Sequence, residues 1–227
     1  MSITNSPSGA AFFDLDGTLI TVNTTRLWLR RERRLGRIGG WQMAHAAMKL
    51  GAYRLGFLDM EATLRYALAR FIGLAEDTMW EETRTWWRED VRQFAAPGAS
   101  AVLEHHRRRG ERLVLLTSSS RYAAEMARGE FGLDDVLFQG FEVRDGRLTG
   151  EPTHPICYSH GKVEVAEAWA RANGIDLGAS SYYTDSSTDL PMLERVGRPF
   201  AVHPDPRLAR IAQARGWPVL DWRTASA

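Results

Sequence analysis

Cysteine is almost absent from this chain. Cys157 stands alone in 227 residues, so no disulfide can form within the chain, and a reducing compartment is the expected setting. Long apolar runs are missing too, and none approaches the uninterrupted length that a bilayer-crossing helix needs. The start, Met1 to Gly9, is polar, with no basic segment leading into an apolar one, so no signal peptide is expected and a cytoplasmic location follows. Lysine is scarce: Lys49 and Lys162 are the only two, and every other cation is arginine. That bias reflects genome composition, but it makes the placement of Lys162 conspicuous. Internal repeats, heptad arrays and low-complexity segments are also lacking.

What is present is an ordinary globular composition, 44% hydrophobic and 25% charged, with a formal net charge of +1, which leaves little room for disorder. Ala10 to Leu15 is a nearly continuous apolar run ending in acidic residues and Gly17, the pattern of a parallel strand buried on both faces. From Thr24 to Asp90 the texture turns helical, with segments expected at Thr24 to Arg37, Trp41 to Leu55, Asp59 to Phe71 and Glu76 to Arg92. An all-helical insert is expected there. Beyond Pro97-Gly98 a helix through Arg109 leads into a strand from Arg112 to Leu116 and the run Thr117-Ser118-Ser119-Ser120. Asp145-Gly146 signals a two-residue hairpin turn between Phe141 to Arg144 and Arg147 to Gly150. Helices at Gly161 to Ala172, Leu190 to Val196 and after Asp205-Pro206 alternate with strands at Ser180 to Thr184, Phe200 to Val202 and Pro218 to Leu220. Such alternation predicts an α/β fold with a parallel sheet.

Ligands of open parallel sheets bind beyond the carboxyl ends of the strands. Three such ends are rich in carboxylates and hydroxyls: Asp14-Leu15-Asp16-Gly17-Thr18, Thr117-Ser118-Ser119, and Thr184-Asp185-Ser186-Ser187-Thr188-Asp189. Asp14 and Asp16 would face opposite sides of a continuing strand, but Gly17 lets the backbone turn both toward one cavity. Several carboxylates at close range need a cation, and hard oxygen ligands with an open position suit Mg²⁺. Lys162 and the Thr117-Ser118 turn are then suited to hold a phosphate. Lys162 falls near a helix start, where the macrodipole disfavours a cation, and a bound anion would explain it.

These residues resemble the four motifs of the haloacid dehalogenase superfamily: Asp14-x-Asp16-Gly-Thr18, an apolar strand ending in Thr117, Lys162, and Asp185-x-x-x-Asp189. All four occur in order. The helical insert directly after the first motif is similar to the subclass containing phosphoserine phosphatases. The runs from Asp185 and from Pro204, with Gly216-Trp-Pro, resemble less-characterised members that include histidinol-phosphate phosphatases. The resemblance implies a Rossmann-like parallel-sheet core, residues 1–20 and 95–227, with an inserted all-helical cap of the C1 type, residues 21–94. It implies a phosphomonoesterase acting on a small-molecule phosphate ester through an aspartyl-phosphate. Asp14 would be the nucleophile and Asp16 the general acid/base, with Thr117, Ser118 and Lys162 on the phosphate. Asp14, the Asp16 carbonyl and Asp185 would hold Mg²⁺, with Asp189 in the metal shell. Phosphoserine phosphatases carry a glutamate nine residues after the nucleophile; here that place holds Asn23, an uncharged candidate substrate contact. A phosphotransferase using the same intermediate, and a lipid- or nucleic-acid-binding module with a vestigial site, are the alternative functions; haloacid dehalogenation lacks the second acid and the metal.

Each residue also has a structural role to weigh. Asp189 and Asp205 precede helices and could be N-caps. The Thr117 run could be a Ser/Thr turn. Lys162 alone could be a surface lysine, and Cys157 a packing residue. His154, His160 and His203 lack metal-ligand spacing, and His105-His106 reads as a solvated face. The arginine-rich Arg26 to Arg37 segment reads as a solvated cap surface or a peripheral membrane contact, with no nucleic acid expected. Trp80, Trp86 and Trp87 are expected to pack the insert. Oligomeric state is not readable from the sequence.

Overall fold

The computed structural model describes residues 9–39 and 60–224. The helix expected from Trp41 to Leu55 lies outside the described residues. Strand β1, Ala10–Phe13, is fully buried and sits inside a six-stranded sheet of order β3-β2-β1-β6-β7-β8. The others are β2 Arg112–Ser120, β3 Asp135–Gln139, β6 Ser181–Thr184, β7 Arg198–Val202 and β8 Val219–Leu220. Every pairing in this sheet is parallel. The antiparallel hairpin β4, Phe141–Arg144, with β5, Arg147–Pro152, stands apart and turns at Asp145-Gly146 as expected.

Because side chains alternate across a strand, β1 feeds two cores. Ala11 and Phe13 pack on one face with Leu113, Leu115 and Tyr183; Ala10 and Phe12 pack on the other with Val114, Leu116 and Tyr182. Helices α4, Ala99–Arg108, and α5, Arg121–Phe131, cover the first face through Leu103, Ala123, Ala124 and Ala127. The second is covered by α6, His160–Asn173, α7, Leu190–Arg195, and α8, Pro206–Arg215. Helix α5 and strand β3 had no counterpart in the sequence reading, and β2 runs on to Ser120 rather than ending at Leu116.

The segment between β1 and α4 is helical in its described parts. It holds α1, Thr24–Arg34, α2, Met60–Leu68, and α3, Glu76–Trp86, followed by a wide turn over Trp87–Val91 and a tight one over Arg92–Phe94. Trp86 and Trp87 are buried with Leu27 in the first core, and Trp28 meets Trp86 edge-on at 5.2 Å. Trp80 packs edge-on against Tyr122 of α5 at 4.7 Å. These aromatics tie the helices to the sheet domain, as expected of packing residues. Arginines expected to be solvated are partly engaged: Arg34 pairs with Asp90, and Arg37 with Glu32 and Glu82. No helix among the described residues is long and apolar enough to cross a membrane.

One histidine expectation changes. His106 is buried rather than solvated, with Nε2 2.8 Å from the Tyr183 hydroxyl and Nδ1 bonded to Glu111. Its partners sit on other elements, so no local pattern marks it. Cys157 is fully buried, and burial pushes its thiol up to about 12, which suits an inert packing residue.

Candidate active site

The chain leaves β1 at Asp14, whose main-chain N–H still donates to Tyr183 of β6 at 2.9 Å. Gly17 then adopts φ +75°, a left-handed conformation open to glycine at little cost. A Cβ there would lie 2.3 Å from Asp185 Oδ2, so the missing side chain also lets the Asp185 carboxylate rest against the first loop. The turn brings Asp14, Asp16 and Asp185 to the same end of the sheet.

Lys162 reaches this point from the first turn of α6 and is only 2% exposed. Its ammonium donates to Asp14 Oδ1 at 2.8 Å, to Asp189 Oδ2 at 2.7 Å and to the Tyr182 hydroxyl at 3.1 Å. Asp189 Oδ2 also accepts from Tyr182 at 2.6 Å and from Thr184 Oγ1 at 2.8 Å. Asp189 does stand at the N-cap position of α7, but its side chain makes no cap bond there and is spent on this buried network. The surface reading of Lys162 fails, because its ammonium is buried in the same network.

Asp16 is held from the helical side. The Thr24 main-chain N–H donates to its Oδ1 at 2.9 Å, and the Thr24 hydroxyl to its Oδ2 at 3.0 Å. Asn23 caps α1, accepting from Arg26 N at 3.1 Å, while its amide donates to Asp16 Oδ2 at 3.2 Å. Ser119 Oγ lies 3.5 Å from the same oxygen. Thr117 is buried and its Oγ1 accepts from Ser119 N at 3.1 Å, while Ser118 is exposed. The Ser/Thr turn is thus real, and it leaves the Thr117 hydroxyl proton free to donate elsewhere. Tyr182 and Thr24 join the cluster without having been singled out in the sequence, and Ser119 and Thr184, named there within the strand-end runs, join it as well.

The charges shape one another. Burial raises Asp14, Lys162 works against that, and Asp189 and Asp16 add to it, leaving Asp14 at about 7. Burial, with Asp14 and Asp189 nearby, pushes Asp185 up to about 8. Asp16 is raised by burial even though Thr24 bonds favour its ionised form. Burial alone would lower Lys162, but Asp14 and Asp189 hold it well above its usual range.

Among the described residues no three His, Cys, Asp or Glu side chains converge as a ready cation cage. Two carboxylates and a main-chain carbonyl nevertheless fit Mg²⁺, which leaves much of its shell to water and phosphate oxygens. The Asp185 carboxylate, pressed on Gly17 and raised by burial and then by its anionic neighbours, is the group that such a cation would relieve.

A family model, haloacid dehalogenase-like hydrolase, matches residues 11–194. The chain belongs to this family. Among curated relatives it is 32% identical to an inhibition of morphological differentiation protein of Streptomyces azureus, over 95% of this chain and 79% of that one. It is 28% identical to a histidinol-phosphatase of Neisseria meningitidis, over 94% of this chain and 98% of that one. A solved structure of a protein of unknown function from Bordetella pertussis aligns with a TM-score of 0.87 at 30% identity, covering 94% of this chain and 98% of that one. These alignments run along nearly the whole length of this hydrolase.

Proposed function

We propose that this hydrolase is a Mg²⁺-dependent phosphatase acting on a small-molecule phosphate monoester through an aspartyl-phosphate. The observation that carries the reading is Lys162, buried at 2% exposure and bonded to Asp14 at the end of β1. A desolvated ammonium in a carboxylate cluster is suited to an anionic substrate.

In the first step an Asp14 oxygen forms a bond to phosphorus while the ester P–O bond breaks, and Asp16 gives its proton to the leaving oxygen. In the second step Asp16 takes a proton from the attacking water, and Asp14 leaves as carboxylate. The raised affinity of Asp16 for its proton suits the donor role. Thr117, Ser118 and Lys162 bind the phosphoryl oxygens. The Tyr182 bond, the longest of the three that Lys162 makes at 3.1 Å, is the one a phosphoryl oxygen would share. Asp14, the Asp16 carbonyl and Asp185 would hold Mg²⁺, oriented by Asp189, and the cation offsets charge between nucleophile and phosphoryl group when bound. Residues 21–94 act as the cap over residues 1–20 and 95–227, with Thr24 and Asn23 steadying Asp16 from its edge.

For the substrate we favour an amino-alcohol phosphate of the histidinol phosphate type over phosphoserine. Asn23 stands where phosphoserine phosphatases carry glutamate and is engaged with Asp16, so the contact typical of a phosphoserine site is missing. The meningococcal relative named a histidinol-phosphatase supports the same choice. A panel of phosphate esters with added Mg²⁺ tests this. Histidinol phosphate should turn over faster than phosphoserine, with inorganic phosphate as product even when alcohols compete as acceptors. Preference for phosphoserine would overturn the substrate choice, and transfer to the added alcohol would favour a phosphotransferase.

A further inference from the structure

The loop after β7, His203-Pro204-Asp205, carries none of the residues assigned above, yet it reaches both carboxylate-bearing loops. His203 Nδ1 lies 3.2 Å from the Gly17 carbonyl oxygen. Asp205 N donates to the Asp185 carbonyl at 2.8 Å, and the Asp205 carboxylate accepts from Ser187 N at 2.7 Å. Gly17 and the Asp185 carboxylate are themselves in contact. Residues 14–17, 185–187 and 203–205 therefore close a ring around the site.

The proton positions on His203 follow from its partners. A carbonyl oxygen can only accept, so Nδ1 carries the hydrogen that meets Gly17. The Trp222 main-chain N–H can only donate, so Nε2 presents its lone pair to it, with Asp221 Oδ1 3.2 Å from the same nitrogen. The ring is 11% exposed. The backbone of His203 has φ +42°, a region residues with a Cβ seldom occupy, and both ring bonds hold it there.

We infer that His203 is a positioning residue for the cation site: by fixing the Gly17 carbonyl it sets the Asp16 peptide and the Asp185 carboxylate in the arrangement that receives Mg²⁺. This rests on reading Asp14, Asp16 and Asp185 as that site. The competing role is a tether, in which His203 only anchors the C-terminal segment through Trp222. The two roles use different ring nitrogens. An asparagine amide nitrogen can stand near Nδ1 and keep the Gly17 bond, whereas a glutamine reaches the Nε2 position and keeps the Trp222 bond.

Calorimetric titration of the full chain with Mg²⁺ alone separates them, with thermal melts of each variant to report folding. His203→Ala and His203→Gln should bind Mg²⁺ roughly 10-fold or more weakly, the loss typical when a residue orienting a metal ligand is removed. His203→Asn should recover most of the native affinity despite losing the Trp222 bond. Native affinity in folded His203→Gln would overturn the inference, as would His203→Asn binding as weakly as His203→Gln. If His203→Ala does not fold, the Asn and Gln pair decides. Failure of the unaltered chain to bind Mg²⁺ would instead overturn the cation-site reading, and the inference with it.

Discussion

Lys162 Nζ lies 2.7 Å from Asp189 Oδ2, and both side chains are 2% exposed. The pair joins the first turn of α6 to the turn before α7, and Asp14 sits on its other side at 2.8 Å. A single ammonium thus offsets two carboxylates from different loops, so its removal strands both.

Lys162→Met should lower stability by about 3–5 kcal/mol, the usual cost of leaving buried charges without their partner. Urea unfolding measures it. Phosphatase activity should fall with it, and Lys162→Arg should not restore it, because a planar guanidinium cannot occupy the place of a compact ammonium with three partners.

Tyr182→Phe keeps the ring packed but removes both a donor to Asp189 and an acceptor for Lys162. A loss of about 1–3 kcal/mol is expected from the group left unsatisfied. Its kcat should drop less than that of Lys162→Met, since the ammonium remains. Equal losses in the two variants would show that the hydroxyl, not the charge, organises the site.

Metal-free protein should become less stable as pH rises from about 4 to 8. Asp14 and Asp185 are raised to about 7 and about 8, so the folded state holds their protons more tightly than the unfolded chain does. That advantage is complete below the unfolded value of 3.8 and is lost as pH passes through the folded values. Mg²⁺ binds the ionised carboxylates, so its stabilising shift in Tm should be larger at pH 8.5 than at pH 6. Melts with and without Mg²⁺ at the two pH values check the sign.

Gly17→Ala combines a positive φ, costing about 1–2 kcal/mol for a residue with a Cβ, with a methyl group directed at Asp185 Oδ2. The fold should survive, and Mg²⁺ affinity and activity should fall together. Paired melts and Mg²⁺ titrations would show this.

Much of the site was legible because it lies at strand ends, where an apolar run such as Ala10–Phe13 stops abruptly in carboxylates and glycine. Asp14, Asp16, Asp185 and Asp189 could be picked out this way, and Lys162 by its place near a helix start in a chain with two lysines; the structure brings them together. Asp189 also shows the limit: its position before a helix suggested a cap, and only the buried hydroxyls of Tyr182 and Thr184 reveal its use. Tyr182 itself reads as a core aromatic in a buried strand. His106 meets Tyr183 across 77 positions of sequence, and His203 meets Gly17 across 186. Bonds of that span leave no local periodicity. Strand β3 was missed because it is short and mostly half-buried, with Asp135 and Gln139 at its ends in place of a continuous apolar run.

The role of Asp14 is open to direct chemical trapping. Enzyme turning over a phosphate ester with Mg²⁺ is quenched with borohydride, which reduces an acyl phosphate to an alcohol, and the peptide containing Asp14 is then sequenced by mass spectrometry. Homoserine at position 14, absent without substrate and absent in Asp14→Asn, is the expected result. Full turnover with an unmodified Asp14, or with phosphate trapped on another residue, would contradict it.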